Sequence, residues 1–222
     1  MVASIPHCPS LTASSVKLVP DMAENKWDGA GAVPFCVKDD KVYFLLQETK
    51  GGKKEGFLVD FGGGRNYSVD TSLAFCGARE FTEETAGLFT ADDPKSLAVE
   101  LAVLDHHAIE ASPLLQKEVE KCLKLVNQAA ERGYLIVSDQ KRSKWYGAYA
   151  IQLPYTDLTA QNLFFGDSSL RKVREYHWIA ADIFLKLLKK ETVDGFLPLH
   201  SRLFCLNYLD NVVQRIMTEN EK

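Results

Sequence analysis

The sequence lacks any apolar run that approaches the roughly 18–20 residues of a membrane-spanning helix, so no membrane is expected as a partner. It also lacks an excess of basic charge, because 26 lysines and arginines face 30 aspartates and glutamates, for a formal net charge of −4. This balance gives no general attraction to nucleic acid, and an anionic ligand would need a local site. With 46% hydrophobic residues the chain is too apolar to remain disordered. The composition predicts a soluble globular protein and leaves its function open.

The cysteines lack the regular spacing of a metal-binding knuckle, and their number, five, is odd. We interpret them as reduced thiols, most of them buried, and the expected location is cytoplasmic. Residues 1–17 show neither a signal-peptide pattern nor an arginine-rich amphipathic pattern. Residues 1–25 are therefore expected to form an N-terminal arm, and residues 26–222 one enlarged domain.

Polar turns separate short apolar segments in the first third of the domain. Residues 29–37 and 42–48 flank the turn sequence KDDK and predict a β-hairpin. Residues 57–61 predict another short strand, which runs directly into three glycines. From residue 70 to about residue 87 the pattern is that of a helix, with a capping side chain at its start and a glycine at its end. The predicted order is hairpin, strand, glycines, loop and helix.

Helices and strands alternate in the rest of the chain. Ser112 and Pro113 begin a predicted helix that continues through Arg132, and residues 97–107 are also assigned to a helix. These segments form a helical insert at about residues 93–132, which we expect to act as a lid or as a dimer contact, so that a homodimer is an expected assembly. The later elements are predicted strands at 134–138, 145–153 and 173–179 and helices at 183–190 and 199–218.

Three glutamates share one face of the helix predicted near residue 80. The segment REFTEE places Glu80, Glu83 and Glu84 three and four residues apart, so their carboxylates converge. Carboxylates at close range repel one another, and a cation that prefers oxygen ligands, Mg²⁺ or Mn²⁺, resolves the repulsion. Phe81 would face the core, and Arg79 could hold one carboxylate through a paired hydrogen bond. A glutamate-rich turn alone is more often a solvated surface, and only its combination with the upstream glycines favours a site.

The segment from Gly64 to Leu88 resembles the sequence signature of the Nudix hydrolases, G-x5-E-x7-R-E-U-x-E-E-x-G-U, in which U is a bulky aliphatic residue. The centre of the signature is intact apart from Phe81 at a U position. Asp70 stands where the family has glutamate, eight residues rather than seven separate it from Arg79, and one extra residue precedes the final glycine. These departures lie at the two ends of the predicted helix and leave the spacing of the three glutamates unchanged. The segments GAGAVPF and EYHWIAADIF also resemble the family.

The resemblance implies an α/β fold, with an α/β/α sandwich around a mixed β-sheet. It implies an enzyme that hydrolyses a pyrophosphate bond in a nucleoside diphosphate linked to another moiety, such as a nucleotide sugar, an ADP-ribose-like compound, a dinucleotide or a nucleoside triphosphate. The implied Mg²⁺ or Mn²⁺ ligands are Glu80, Glu83, Glu84 and the carbonyl of Gly63. The implied catalytic residues are Glu80, Glu83 and Arg79. By the resemblance, Glu80 is either a further ligand or the base that deprotonates the attacking water, and Arg79 orients Glu80.

Weaker candidates surround this segment. Four residues are candidates to bind substrate: Lys53, Lys54, Arg142 and Trp145. Exposed lysines on turns more often serve solubility, and a tryptophan in a strand more often belongs to the core. Asp167 or Glu175 could supply a further acidic ligand, although each is more often an ordinary surface carboxylate. The three glutamates favour a hydrolase, and the irregular ends of the segment leave open a Nudix-fold module that binds a nucleotide metabolite without turnover.

Overall fold

The computed structural model describes residues 27–103, 112–138, 145–158 and 173–221. The predicted N-terminal arm, Arg142 and Asp167 lie outside the described residues. Within the described part, no helix has the length and apolar character of a bilayer span.

Eight strands and six helices make up the described part of the chain, and together they form a mixed α/β fold, as predicted. The strands are β1 (Trp27–Ala32), β2 (Phe35–Lys38), β3 (Lys41–Lys50), β4 (Leu58–Val59), β5 (Phe61–Gly64), β6 (Leu135–Val137), β7 (Trp145–Tyr149) and β8 (Val173–Ala180). The helices are α1 (Leu73–Thr85), α2 (Pro94–Val103), α3 (Pro113–Glu131), α4 (Ala181–Leu188), α5 (Ser201–Phe204) and α6 (Leu209–Asn220).

Two four-stranded sheets form the centre of the fold. The first has the order β5-β1-β7-β6 and is mixed, because β1 pairs parallel with β7 and antiparallel with β5. In the second, β3 pairs antiparallel with β2, β4 and β8. Helix α1 packs on β1, β5 and β7, whereas α4 and α6 pack against β3. The first sheet therefore carries the helix that holds the three glutamates.

The predicted first hairpin is confirmed in its second half, where β2 and β3 pair around a two-residue turn. Asp39 and Asp40 in this turn have positive φ angles, 50° and 56°, as a type I′ turn requires. The single strand predicted at 29–37 is wrong, because the chain leaves the first sheet at Pro34, which has no N–H to donate to a ladder. The strand predicted at 57–61 likewise divides at Asp60, and the glycines that follow belong to β5.

Helix α1 confirms the predicted helix at 70–87. The hydroxyl of Ser72 accepts a hydrogen bond of 3.0 Å from the N–H of Phe75 and caps the first turn. At the other end Ala86 adopts the left-handed conformation and stops the helix. Phe81 is fully buried, and its ring packs edge-on against Phe61 at 5.4 Å between centroids. Because Phe61 belongs to β5, this contact holds α1 against the strand that carries the glycines.

The described part of the predicted insert is helical, as expected. Ser112 caps α3 by accepting a hydrogen bond from the N–H of Leu115. The apolar face of α3 packs on α1, where the hydroxyl of Thr82 lies 3.1 Å from Sγ of Cys122. The helix predicted at 199–218 divides into α5 and α6, with Tyr208 at a positive φ of 59° before α6. This break places α5 beside the strands that carry the glycines.

Candidate functional site

Arg79 contacts both Glu80 and Glu83 on the acidic face of α1. Its Nη1 atom lies 2.9 Å from Oε1 of Glu80 and 2.9 Å from Oε2 of Glu83. The single positive charge of the guanidinium therefore lies between the two carboxylates and reduces the repulsion that their spacing predicts. We refer to these two residues as the Glu80–Glu83 pair.

Asp70 fixes the arginine in turn. Its two carboxylate oxygens accept hydrogen bonds of 2.8 Å from Nε and Nη2 of Arg79, and Nη2 also donates to the carbonyl of Gly64 at 3.1 Å. The Asp70 side chain is fully buried and accepts a further hydrogen bond from the N–H of Asn66. The departures from the family signature near Asp70 are thus compatible with a paired carboxylate–guanidinium contact.

Glu84 has different surroundings from the other two glutamates. Its Oε2 atom accepts hydrogen bonds from the N–H of Gly62 at 2.7 Å and from Nε2 of Gln47 at 2.6 Å. Its Oε1 atom lies 3.0 Å from Nη1 of Arg174, which also donates to Oε1 of Gln47. Glu84 is therefore tied to strands β3, β5 and β8, and its carboxylate is held by protein groups.

Glu80 lies directly against the glycine strand. A Cβ atom added to Gly63 would come within 2.3 Å of Oε2 of Glu80, so only glycine allows this approach. Burial raises the pKa of Glu80 to about 7, an effect that Arg79 opposes and Glu84 reinforces. A carboxyl group that titrates near neutral pH is suited to accept a proton from a water molecule.

The donor types on this face, carboxylate and carbonyl oxygens, are those that a hard divalent cation prefers. The Glu80–Glu83 pair offers carboxylate oxygens, and Gly63 offers a backbone carbonyl in the strand that Glu80 contacts. The raised pKa of Glu80 indicates that Arg79 alone does not offset the burial of its charge. An additional cation would stabilise the ionised carboxylate.

Glu175 lies on the opposite side of its strand from the glutamates of α1. Its neighbours Arg174 and Tyr176 contact Glu84, and successive strand residues point to opposite faces. Glu175 belongs instead to a group with Glu48 and His177, whose ligand atoms all lie within 4.8 Å of one another. We refer to these three residues as the Glu48 cluster. Lys50 pairs with both carboxylates of this cluster, because its Nζ atom lies 2.8 Å from Glu48 and 3.2 Å from Glu175.

A cleft of about 670 Å³ opens beside Gly63. Lys54 and Trp145, both predicted to bind substrate, line this cleft. Lys53 is exposed and does not contribute to the lining. No described residue of α2 or α3 lines it either, so in this structure the described part of the insert supports α1 rather than covering the cleft.

Arg202 also lines the cleft, although no sequence pattern predicts it there. Its Nη1 atom donates to the carbonyl of Gly62 at 2.7 Å, although 140 residues separate the two in the chain. Its Nε and Nη2 atoms donate to Oδ1 and to the carbonyl of Asp60, at 2.7 and 3.1 Å. The hydroxyl of Tyr146 donates to the other carboxylate oxygen of Asp60 at 2.6 Å. Only the tertiary structure brings these groups together.

Comparisons with known proteins give a limited likeness. No family model matches the chain. A stretch of 62 residues is 44% identical to part of an uncharacterized protein of Acanthamoeba polyphaga mimivirus, and it spans 27% of this chain but only 20% of that protein.

Three solved structures are similar at low identity. A C. elegans Ap4A hydrolase is 11% identical over 86% of this chain and 96% of its own, with a TM-score of 0.43. A Nudix hydrolase from Alicyclobacillus acidocaldarius is 16% identical over 88% of this chain and 93% of its own, also with a TM-score of 0.43. The Nudix domain of Shewanella oneidensis NrtR, complexed with ADP ribose, is 14% identical over 86% of this chain and 88% of its own, with a TM-score of 0.40. The function must therefore be inferred from the residues of the site.

Proposed function

We propose that this protein is a Nudix-type hydrolase that requires Mg²⁺ or Mn²⁺ and cleaves a pyrophosphate bond in a nucleoside diphosphate linked to another moiety. The observation that carries the proposal is the contact between the Glu80 carboxylate and Gly63, a glycine that also lines the cleft. It joins a buried acidic group to a cavity of the size that a nucleotide requires.

Each residue of the site has a proposed role. Glu80, Glu83 and the Gly63 carbonyl would hold the cation, with Glu84 as a further carboxylate beside them. The bound cation supplies Lewis acidity, because it lowers the pKa of a coordinated water and offsets phosphate charge. Glu80 is the proposed acceptor of the proton of the attacking water, because its carboxylate lies against the glycine that lines the cleft. Arg79, fixed by Asp70, keeps the Glu80 carboxylate in position.

The test is product release from a panel of nucleoside diphosphate derivatives with Mg²⁺ or Mn²⁺. We expect the double substitution Glu83→Gln with Glu84→Gln to abolish most of the turnover. Glu120→Gln is the matched control, because Glu120 is an exposed glutamate on the outside of α3. Full activity in the double variant would refute the proposed metal site.

A second candidate function is a module that binds a nucleotide metabolite without hydrolysing it. The observation in its favour is that arginines already pair with all three glutamates, since Arg79 bridges Glu80 and Glu83 and Arg174 holds Glu84. A wild-type protein that is inactive on the whole panel but binds a nucleotide would support this alternative. Turnover of any substrate in the panel that depends on Glu83 and Glu84 would exclude it.

A further inference from the structure

Two cationic side chains from distant parts of the chain line the cleft next to the glycine strand. Lys54 comes from the loop between β3 and β4, and Arg202 comes from α5. Neither belongs to the helix that carries the glutamates. Their convergence on one cavity therefore needs an explanation other than the metal site.

Arg202 is held rigidly. The Asp60 side chain and the carbonyls of Asp60 and Gly62 accept its three hydrogen bonds, and these bonds leave N–H groups on both Nη atoms for another acceptor. The Asp60 carboxylate is fully buried and shared with Tyr146. Asp60 thus positions the guanidinium, and both of its carboxylate oxygens already accept hydrogen bonds within the protein.

Lys54 lacks a comparable partner. Its ammonium group makes no hydrogen bond or ion pair with another described residue, although the side chain is half-buried. Burial, Arg202 and Arg174 lower the pKa of Lys54, and the carboxylates of Glu84 and Asp60 only partly offset this lowering. An anion between the two cations would favour the charged form of the lysine.

We propose that Lys54 and Arg202 form a phosphate subsite in the cleft, one that binds an anion without a metal ion. Phosphate oxygens suit it because a guanidinium and an ammonium can both donate to the several oxygens of one tetrahedral group. Trp145 and Tyr146 line the same cleft and offer aromatic surface for a base. The inference rests on the proposed function in one respect: it assigns one phosphate of the substrate to the metal site and another to Lys54 and Arg202.

The test is a calorimetric titration of the full chain with inorganic pyrophosphate, in EDTA so that no metal contributes. We expect wild type to bind pyrophosphate, Lys54→Gln to weaken binding by about tenfold or more, and added NaCl to weaken wild-type binding further. Lys53→Gln is the matched control, because Lys53 is the adjacent residue with the same charge but lies outside the cleft lining. Arg202→Lys, checked for folding by thermal melting, should also weaken binding because an ammonium cannot reproduce the fork of the guanidinium.

Several outcomes would overturn the subsite. They are no binding of pyrophosphate by metal-free wild type, wild-type affinity in Lys54→Gln, or equal losses in Lys53→Gln and Lys54→Gln. The result is separable from that of the hydrolysis panel, because the titration requires neither metal nor turnover. An inactive protein that binds pyrophosphate through Lys54 would refute the proposed function and leave the subsite intact.

Discussion

The described part of the chain contains two groups of acidic side chains on opposite sides of β8, and the groups differ in the cation that pairs with them. The Glu80–Glu83 pair is bridged by Arg79, which is buried and fixed by Asp70. The Glu48 cluster is bridged by Lys50, whose side chain is 39% exposed. The Glu48 cluster has the more compact geometry for a metal, but the Glu80–Glu83 pair adjoins a cleft. Burial of the carboxylates does not separate the two groups, because the Glu48 side chain is 11% exposed against 13% for Glu80 and 14% for Glu83. Burial of the bridging cation and access to a cavity distinguish the candidate active site from the Glu48 cluster.

The largest expected difference between the two groups concerns turnover. We expect Glu80→Gln to lower kcat by about 10²–10⁴-fold, because it removes both the proposed proton acceptor and a cation ligand. Glu175→Gln removes a carboxylate from the Glu48 cluster and should leave kcat within about twofold, because it contacts neither the cleft nor Glu80. Steady-state kinetics on the best substrate of the panel measures both. A larger loss in Glu175→Gln would reverse the comparison and place the metal in the Glu48 cluster.

The next difference concerns stability. Asp70→Asn removes the charged partner that accepts two hydrogen bonds from Arg79, which should lower the free energy of unfolding by about 1.5–3 kcal/mol, because Glu80 and Glu83 remain beside the guanidinium. Lys50→Gln removes a cation whose side chain is 39% exposed and should cost less, about 1 kcal/mol. Urea denaturation in EDTA measures both free energies. Equal costs would show that the burial of the bridging cation does not separate the two groups.

The sequence predicts correctly those elements that depend on residues close together in the chain. The capping Ser72, the apolar Phe81 and the 3.6-residue spacing of the glutamates determine α1 and its faces within one short segment. The division of a predicted strand at Pro34 was missed because a short apolar run does not show which sheet it joins. The same limitation applies to Asp60, where a two-residue strand ends and a glycine strand begins in the other sheet.

Only part of the candidate site could be predicted for the same reason. The approach of the glycine strand to Glu80 follows from the strand–glycine–helix order, and the structure brings the two together. Lys53 and Lys54 look alike in the sequence, because which one turns inward depends on the path of the loop. Arg202 and Arg174 reach the site only through tertiary contacts of α5 and β8, which leave no local pattern.

The Glu80 carboxylate contacts the glycine strand, whereas the Glu48 cluster does not line the same cleft. Substitutions at two neighbouring glycines test this contact. Gly63→Ala would place a methyl group against the Glu80 carboxylate and should lower kcat by about 10–100-fold through displacement of that group. Gly64→Ala is the matched control, because the nearest atom to its added Cβ is 3.9 Å away. Kinetics at saturating metal ion concentration compares the two variants. Equal activities would show that the position of Glu80 against β5 does not matter.

The smallest expected effect is on the free energy of unfolding, to whose pH dependence Glu80 and His177 of the Glu48 cluster contribute with opposite signs. The pKa of Glu80 is raised from 4.5 to about 7, so the folded state binds more protons than the unfolded state in this interval. The negative charge of Glu80 lowers the free energy of unfolding by an amount on the order of 1–3 kcal/mol. This loss is absent below about pH 4.5 and complete above about pH 7.

Burial lowers the pKa of His177 in the Glu48 cluster, so its contribution has the opposite sign and is lost as the pH falls below 6.5. Urea denaturation in EDTA across this range should give a smaller fall of stability with rising pH in Glu80→Gln than in wild type, and a larger fall in His177→Gln. Identical slopes in wild type and Glu80→Gln would contradict the raised pKa. Because a bound cation stabilises ionised Glu80, added Mg²⁺ should stabilise wild type more at the alkaline end of the range than at the acid end, and this difference should disappear in Glu80→Gln.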